Sequence, residues 1–193
     1  MAEILLIRHG QTEWSLSGQH TSVTDLDLTT VGVEQAERLR PLLAPLEFTK
    51  VLSSPRRRAL RTAELAGLPP VTIDEDLAEW AYGDYEGITS DEIHQTDPDW
   101  TIWRDGAPGG ESPEQVGERL DRVLARAETA LAMGNVGLVG HGHALRAAAA
   151  RWIGLGTEGG ALLWLDTATV SALGFEHGRK VIRRWNLVPT TIG

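Results

Sequence analysis

Glu3-Ile4-Leu5-Leu6-Ile7-Arg8-His9-Gly10 is the stretch whose reading decides the fold. Four consecutive apolar residues with no polar alternation describe a strand buried on both faces, as in the interior of a sheet covered by helices on each side. The run ends abruptly in Arg-His-Gly, where a chemically versatile imidazole follows a fixed cation and precedes a residue that lets a ligand approach the backbone. Outward from it, strand and helix patterns alternate. Thr29–Leu43 is expected to be one helix, with Thr29 as N-cap and Leu28 and Val33 positioned for a hydrophobic staple. Phe48–Ser53 is a second short strand. Pro55–Ala66 is expected to be a helix capped by Ser54 with Pro55 at its first position. Gly67-Leu68-Pro69-Pro70 interrupts the chain.

Residues 77–110 read as irregular, with a short helical piece at 90–95 and an aromatic set of Trp80, Tyr82, Tyr85, Trp100 and Trp103. A long helix is expected over Pro113–Met133. Ser112 and Gln115 can form its capping box, Val116, Leu120, Val123, Leu124, Ala127 and Leu131 form one face, and Gly134 can stop it. Val136–Gly140 is a buried strand, His143–Trp152 a helix, and 161–188 two or three strands turning at Glu176-His177-Gly178. Strands separated by helices predict an α/β protein: a three-layer α/β/α sandwich around a mostly parallel central sheet, one domain over residues 1–193.

Composition narrows the function. The net charge is −9 and 41% of residues are hydrophobic, which suits neither general nucleic-acid binding nor a membrane surface, and the apolar runs are too short to span a bilayer. An anionic substrate needs a local reversal of sign, and Arg56-Arg57-Arg58 with Arg61 supplies one. The chain contains no cysteine, which excludes disulfides, thiolate metal sites and cysteine nucleophiles and fits a cytoplasmic protein. From Met1-Ala2-Glu3, which lacks a basic n-region and a cleavage signature, no secretory leader is expected.

In parallel sheets, chemistry collects beyond the carboxyl ends of the strands. Arg8-His9-Gly10 follows the first strand, Ser53-Ser54-Pro55 and the arginines follow the second, and Gly140-His141-Gly142-His143 follows the last of the series; Glu79 lies between. Guanidinium groups can hold phosphoryl oxygens, a neutral imidazole can attack phosphorus without a metal, and a carboxylic acid can protonate a leaving alkoxide. His141 and His143 as a His-x-His metal pair would point apart at a strand end, and no third ligand is evident, so no metal or other cofactor is expected.

Four segments in order carry a family resemblance: Leu6-Ile7-Arg8-His9-Gly10-Gln11-Thr12-Glu13-Trp14, Ser53-Ser54-Pro55-Arg56-Arg57-Arg58-Ala59, Leu77-Ala78-Glu79-Trp80 through Glu86-Gly87, and Gly140-His141-Gly142-His143-Ala144-Leu145-Arg146. Together they resemble the histidine phosphatase superfamily, which includes cofactor-dependent phosphoglycerate mutase. The resemblance implies a phosphoglycerate mutase-like fold. It implies that His9 is the nucleophile, that His141 stabilises the transferring phosphoryl group, that Arg8 and Arg58 hold the phosphate, and that Glu79 donates the proton. It places Ser15, Thr21 and Gly142 among the substrate-binding positions with Arg8, Arg58 and His141. Ser15 and Thr21-Ser22 depart from the residues common in the family's substrate loop, and His143 replaces a common glycine.

The stretch from Ile88 to Gly110 is short and acidic with Arg104 its only strong base, whereas mutases of the family carry a longer, more basic segment there. The resemblance is therefore to the small phosphatases, and it implies an acid phosphatase-like enzyme acting on small-molecule phosphate esters through a phosphohistidine. A mutase or a non-catalytic phosphate-binding protein are the alternatives. The demand for a neutral His9 and a protonated Glu79 predicts a bell-shaped pH profile. The aromatic segment Trp80–Trp103 is a candidate apolar wall for the substrate, and the oligomeric state is left open, a homodimer included.

Overall fold

The computed structural model describes residues 2–189. Its elements in chain order are β1 (Ile4–Arg8), α1 (Glu13–Ser17), α2 (Thr30–Glu37), α3 (Arg40–Leu43), β2 (Phe48–Ser53), α4 (Arg57–Leu65), β3 (Thr72–Ile73), α5 (Ser90–His94), α6 (Ile102–Asp105), α7 (Pro113–Ala130), β4 (Asn135–Gly140), α8 (Gly142–Trp152), β5 (Val170–Glu176) and β6 (Arg179–Leu187). The six strands lie in the order β3-β2-β4-β1-β5-β6. The first four in that order pair in parallel; β5 and β6 add antiparallel at the β1 edge.

β1 shows why the opening stretch is decisive. Ile4 and Leu6 enter one core with residues of α7 and α8, among them Val116, Leu120, Leu145 and Trp152. Leu5 and Ile7 enter the other with Leu39 and with Ala59 and Ala63 of α4. The strand alternates between two apolar layers, so both faces must be hydrophobic. Each fully buried aliphatic side chain of this kind contributes about 1.5–3 kcal/mol.

Three local expectations are corrected. Thr29–Leu43 is two helices, not one. Thr29 does cap the first, accepting from Gly32 N at 3.0 Å. However, Pro41 has no N–H for the carbonyl of Glu37, so the ladder stops and restarts with proline in the first turn of α3. The helix after β2 begins at Arg57 rather than Pro55, with Arg56 as an N-cap residue that makes no side-chain cap bond; Ser54 Oγ accepts from Arg56 N at 3.3 Å, ahead of the first turn. The strand β3 after the Gly67–Pro70 break was not anticipated: two exposed residues carry no pattern. Elsewhere the capping box of Ser112 and Gln115 forms, and Gly134 ends the following 3-10 turn at φ +144°.

Candidate active site

The carboxyl ends of β1, β2 and β4 converge, as the 8↔140 and 53↔139 registers require. His9 leaves β1 with its backbone pinned: its N–H bonds to Gly140 O at 3.0 Å and its carbonyl accepts from Ala168 N at 3.0 Å. Its ring Nδ1 lies 2.7 Å from Gly10 O. A carbonyl only accepts, so Nδ1 carries the hydrogen and Nε2 keeps a free lone pair. Burial, followed by the charges of Arg58 and Arg8, holds His9 well below the ordinary imidazole value, so the ring stays neutral. Gly10 is required here because a Cβ would stand 2.3 Å from Gly32 O.

His141 is the N-cap residue of α8 and lies edge-on to His9, centroids 5.1 Å apart. Arg58 Nε–H donates to its Nδ1 at 3.2 Å, which leaves Nε2 to donate to Ser54 Oγ at 2.7 Å. Both His141 and Arg58 are 0% exposed. Arg58 also gives Nη1 to Thr24 O and Nη2 to Thr21 O, each at 3.0 Å. Against the expectation of direct phosphoryl contact, both ring nitrogens of His141 are thus taken by protein, and His141 presents Arg58 rather than a free N–H. Arg58 in turn keeps at most two of its five N–H groups for a ligand.

Glu79 is 7% exposed and held by three backbone donors. Trp80 N and Ala144 N reach Oε1 at 2.9 and 2.8 Å, and His143 N reaches Oε2 at 3.0 Å. Oε1 is saturated, so Oε2 is the oxygen with a site left for a proton. The segment carrying Glu79 is clamped by residues that the sequence reading did not single out. Arg119 donates to Asp76 O and Ala78 O at 2.7 and 2.8 Å and pairs with Glu111, which accepts from Ala81 N at 2.8 Å. The signal was present: Arg119 lies on the apolar stripe of α7 beside Val116, Leu120 and Val123, where a charge needs a partner.

Arg8, His9 and Glu79 open onto one cavity of about 360 Å³, together with Ser15, Thr21 and Gly142. That volume suits a small metabolite. Gly142 lets Arg8 pack closely, since a Cβ would meet its Cζ at 3.3 Å. Ser15 Oγ is spent within its own turn on Thr12, accepting from N at 2.8 Å and donating to O at 3.0 Å, so it helps form the capping box of α1. Among the other residues lining it, Tyr82 and His143 also reach the cavity, as do Trp14, His20, Arg146 and Trp164, which had no expected part. Trp80 and Trp100 do not; both are buried in the core, their indole N–H groups bound to Glu111 O and Gly106 O at 2.9 Å. The apolar side of the cavity is Trp14, Trp164, Leu165 and the Tyr82 ring, so the Trp80–Trp103 segment reaches it through Tyr82 and Ser90 and not through its tryptophans. Arg104 also faces away, paired with Asp105 at 2.7 Å on the surface. Among the described residues no group of three or more His, Cys, Asp or Glu is arranged to hold a metal, and His143 instead meets Tyr82 Oη through Nδ1 at 2.5 Å.

The buried neutral histidines have a measurable consequence. In the unfolded chain His9 and His141 titrate near 6.5; in the folded protein burial lowers both well below it. Between those values the unfolded chain binds more protons, so stability rises with pH. It is fully present above 6.5 and is lost as pH falls below it, at up to about 1.4 kcal/mol per pH unit for each histidine. Urea midpoints are expected to hold between pH 8 and 7 and to fall steeply by pH 5, with a shallower fall in His9→Asn. Identical pH dependence in that variant would contradict the assignment.

The fold and the site define a class of α/β protein in which an imidazole, an arginine and a carboxyl group (His9, Arg8 and Glu79) face one metabolite-sized cavity, with Arg58 and His141 buried behind it. The profile of the histidine phosphatase superfamily (branch 1) matches residues 4–188, and the chain belongs to that family. It is similar to an acid phosphatase of Mycobacterium tuberculosis, 45% identical over 91% of this chain and 87% of the relative. It also resembles a sedoheptulose 1,7-bisphosphatase of Saccharomyces cerevisiae, 39% identical over 80% of this chain and 68% of the relative. A solved structure of an open reading frame product from Mycobacterium tuberculosis superposes with a TM-score of 0.95 at 42% identity, covering 98% of this chain and 99% of the other.

Proposed function

We propose that the protein is a metal-independent phosphomonoesterase that works through a phosphohistidine on His9. The observation carrying this reading is the His9 ring: Nδ1–H is committed to Gly10 O, and the Nε2 lone pair shares a cavity with Arg8 and Glu79. Nε2 attacks phosphorus while the ester P–O bond breaks. Glu79 Oε2–H gives its proton to the departing oxygen. Arg8 and the free N–H groups of Arg58 hold the phosphoryl oxygens, and His141 acts through Arg58, as Ser54 does through His141. Glu79, now a carboxylate, takes a proton from water, which attacks the phosphohistidine and releases phosphate and neutral His9. Hydrolysis is favoured over mutase chemistry by the short acidic segment 88–110, whose Arg104 is turned away from the cavity. The acid phosphatase and sugar bisphosphatase names of the relatives support the same reaction class.

Phosphate release from p-nitrophenyl phosphate in excess chelator tests this reading. Turnover is expected, with the acid limb of kcat/KM lying below pH 6.5 because His9 is held below its ordinary value. Complete dependence on added metal would overturn it, as would turnover only in the presence of a bisphosphoglycerate primer.

A further inference from the structure

Two titratable side chains beside Glu79 have no part in the hydrolytic step as described. Tyr82 is 2% exposed and follows Glu79 by three residues. His143 is the second residue of α8. The two meet at 2.5 Å, Tyr82 Oη against His143 Nδ1. Burial, followed by the charge of Glu79, holds the phenol well above its ordinary value and keeps it protonated. Burial, followed by the charge of Arg146, keeps the imidazole neutral. A buried hydroxyl needs an acceptor, and His143 Nδ1 is the partner that Tyr82 Oη has. The phenol therefore donates and Nδ1 accepts, which places the ring hydrogen of His143 on Nε2.

The same two segments are joined a second time. The backbone N–H of His143 donates to Glu79 Oε2 at 3.0 Å, and that of Ala144 reaches Oε1 at 2.8 Å. Glu79 thus takes orphan donors in the first turn of α8, whose own N-cap residue, His141, makes no side-chain cap bond. Backbone bonds alone would let the carboxyl follow any movement of that turn, which opens on Gly142. The His143 ring restricts the movement. It is tied to Tyr82 at one nitrogen and stands edge-on to Trp103, centroids 5.1 Å apart, with the His20 ring parallel to it at 6.2 Å. A closed circuit results. It runs from the Glu79 carboxyl through the His143 backbone and ring to the Tyr82 hydroxyl, and back along the chain to Glu79. A glycine at 143 could make the first link of that circuit but not the second.

We propose that Tyr82 and His143 are a positioning couple that aims Glu79 Oε2 at the departing oxygen of the ester. This rests on the phosphatase reading with Glu79 as its acid, and adds the residues that hold the acid in line. The couple acts through Glu79, so its loss is read in the leaving group rather than in phosphate binding. Tyr82→Phe deletes the hydroxyl and keeps the ring. Its kcat on glycerol phosphate, whose alkoxide needs a proton, is expected to fall about tenfold, with a change below about twofold on p-nitrophenyl phosphate. The inhibition constant for inorganic phosphate should hold, since Arg8 and Arg58 are untouched. His143→Phe should move the ratio of the two rates by a similar factor. The double variant should move it no further, because the same bond is lost in all three. His143→Asn offers an oxygen near the place of Nδ1 and should restore most of the wild-type ratio, so the proposal stays testable if the phenylalanine variant of His143 does not fold. Equal losses on both esters in Tyr82→Phe, or additive effects in the double variant, would overturn the couple. Failure of the wild type on p-nitrophenyl phosphate would instead overturn the phosphatase reading beneath it, and a ratio unmoved in Glu79→Gln would overturn the choice of acid.

Discussion

Replacing His9 by alanine is expected to lower kcat for every phosphate ester by on the order of 10⁴-fold or more, because on the proposed mechanism it removes the atom that forms the covalent intermediate. His141 is not placed to substitute. Both ring nitrogens of His141 are engaged, by Arg58 and Ser54, and His143 points its Nδ1 at Tyr82. The variant should still fold, since the His9 side chain makes one hydrogen bond, to the next residue's carbonyl. It should also still bind phosphate, because Arg8 and Arg58 are untouched. Inhibition of the wild type by phosphate, phosphate affinity of the variant and a similar melting temperature would together separate lost chemistry from lost structure. Incorporation of acid-labile, alkali-stable phosphate into wild type but not variant is the direct readout. Substantial residual turnover in His9→Ala would remove the phosphohistidine from the mechanism.

Glu79→Gln should produce the second largest effect, and one that depends on the leaving group. General acid catalysis contributes about 10²–10⁴-fold where the departing oxygen needs a proton. p-Nitrophenolate leaves well without one, whereas an alkoxide does not. The loss is therefore expected to be large for glycerol phosphate and several-fold smaller for p-nitrophenyl phosphate. Geometry adds a structural cost. The Gln carbonyl can take over from Oε1, but its amide nitrogen then faces the N–H of His143, donor against donor, in a buried place. An unsatisfied group of that kind costs about 1–3 kcal/mol, so a modest drop in melting temperature should accompany the kinetic effect. Equal losses on both substrates would show that Glu79 is not the acid.

Much of this was readable before any coordinates. The four-residue apolar run of β1, the capping box of Ser112 and the stripe of α7 depend on neighbours in sequence, and local patterning expresses them fully. The strand-end rule brought His9, His141 and Arg58 to one place for the same reason, while Arg57 and Arg61 of the same cluster pair with Asp27 and Glu64 at the surface. Errors arose where a local rule met a distant partner. Ser54 had good helix-cap chemistry, but the helix starts later and its hydroxyl also meets His141, 87 residues away. The tryptophans of residues 80–103 looked like a wall, yet two of the three are core because their indoles find buried carbonyls.

His20 shows the limit most plainly. Nothing in its neighbourhood distinguishes it, and its tautomer depends on a carbonyl 68 residues away. The same holds for His141, whose partners convert it from an apparent phosphoryl ligand into the residue that holds Arg58. By itself the sequence determined the parallel sheet, the family and the chemical groups at the strand ends, because periodicity and residue type are local properties. Tertiary structure alone decided which nitrogen of each histidine is free, which oxygen of Glu79 can carry a proton and which acceptor the Tyr82 hydroxyl meets. Those are properties of hydrogen-bond partners, and partners meet only when the chain has folded.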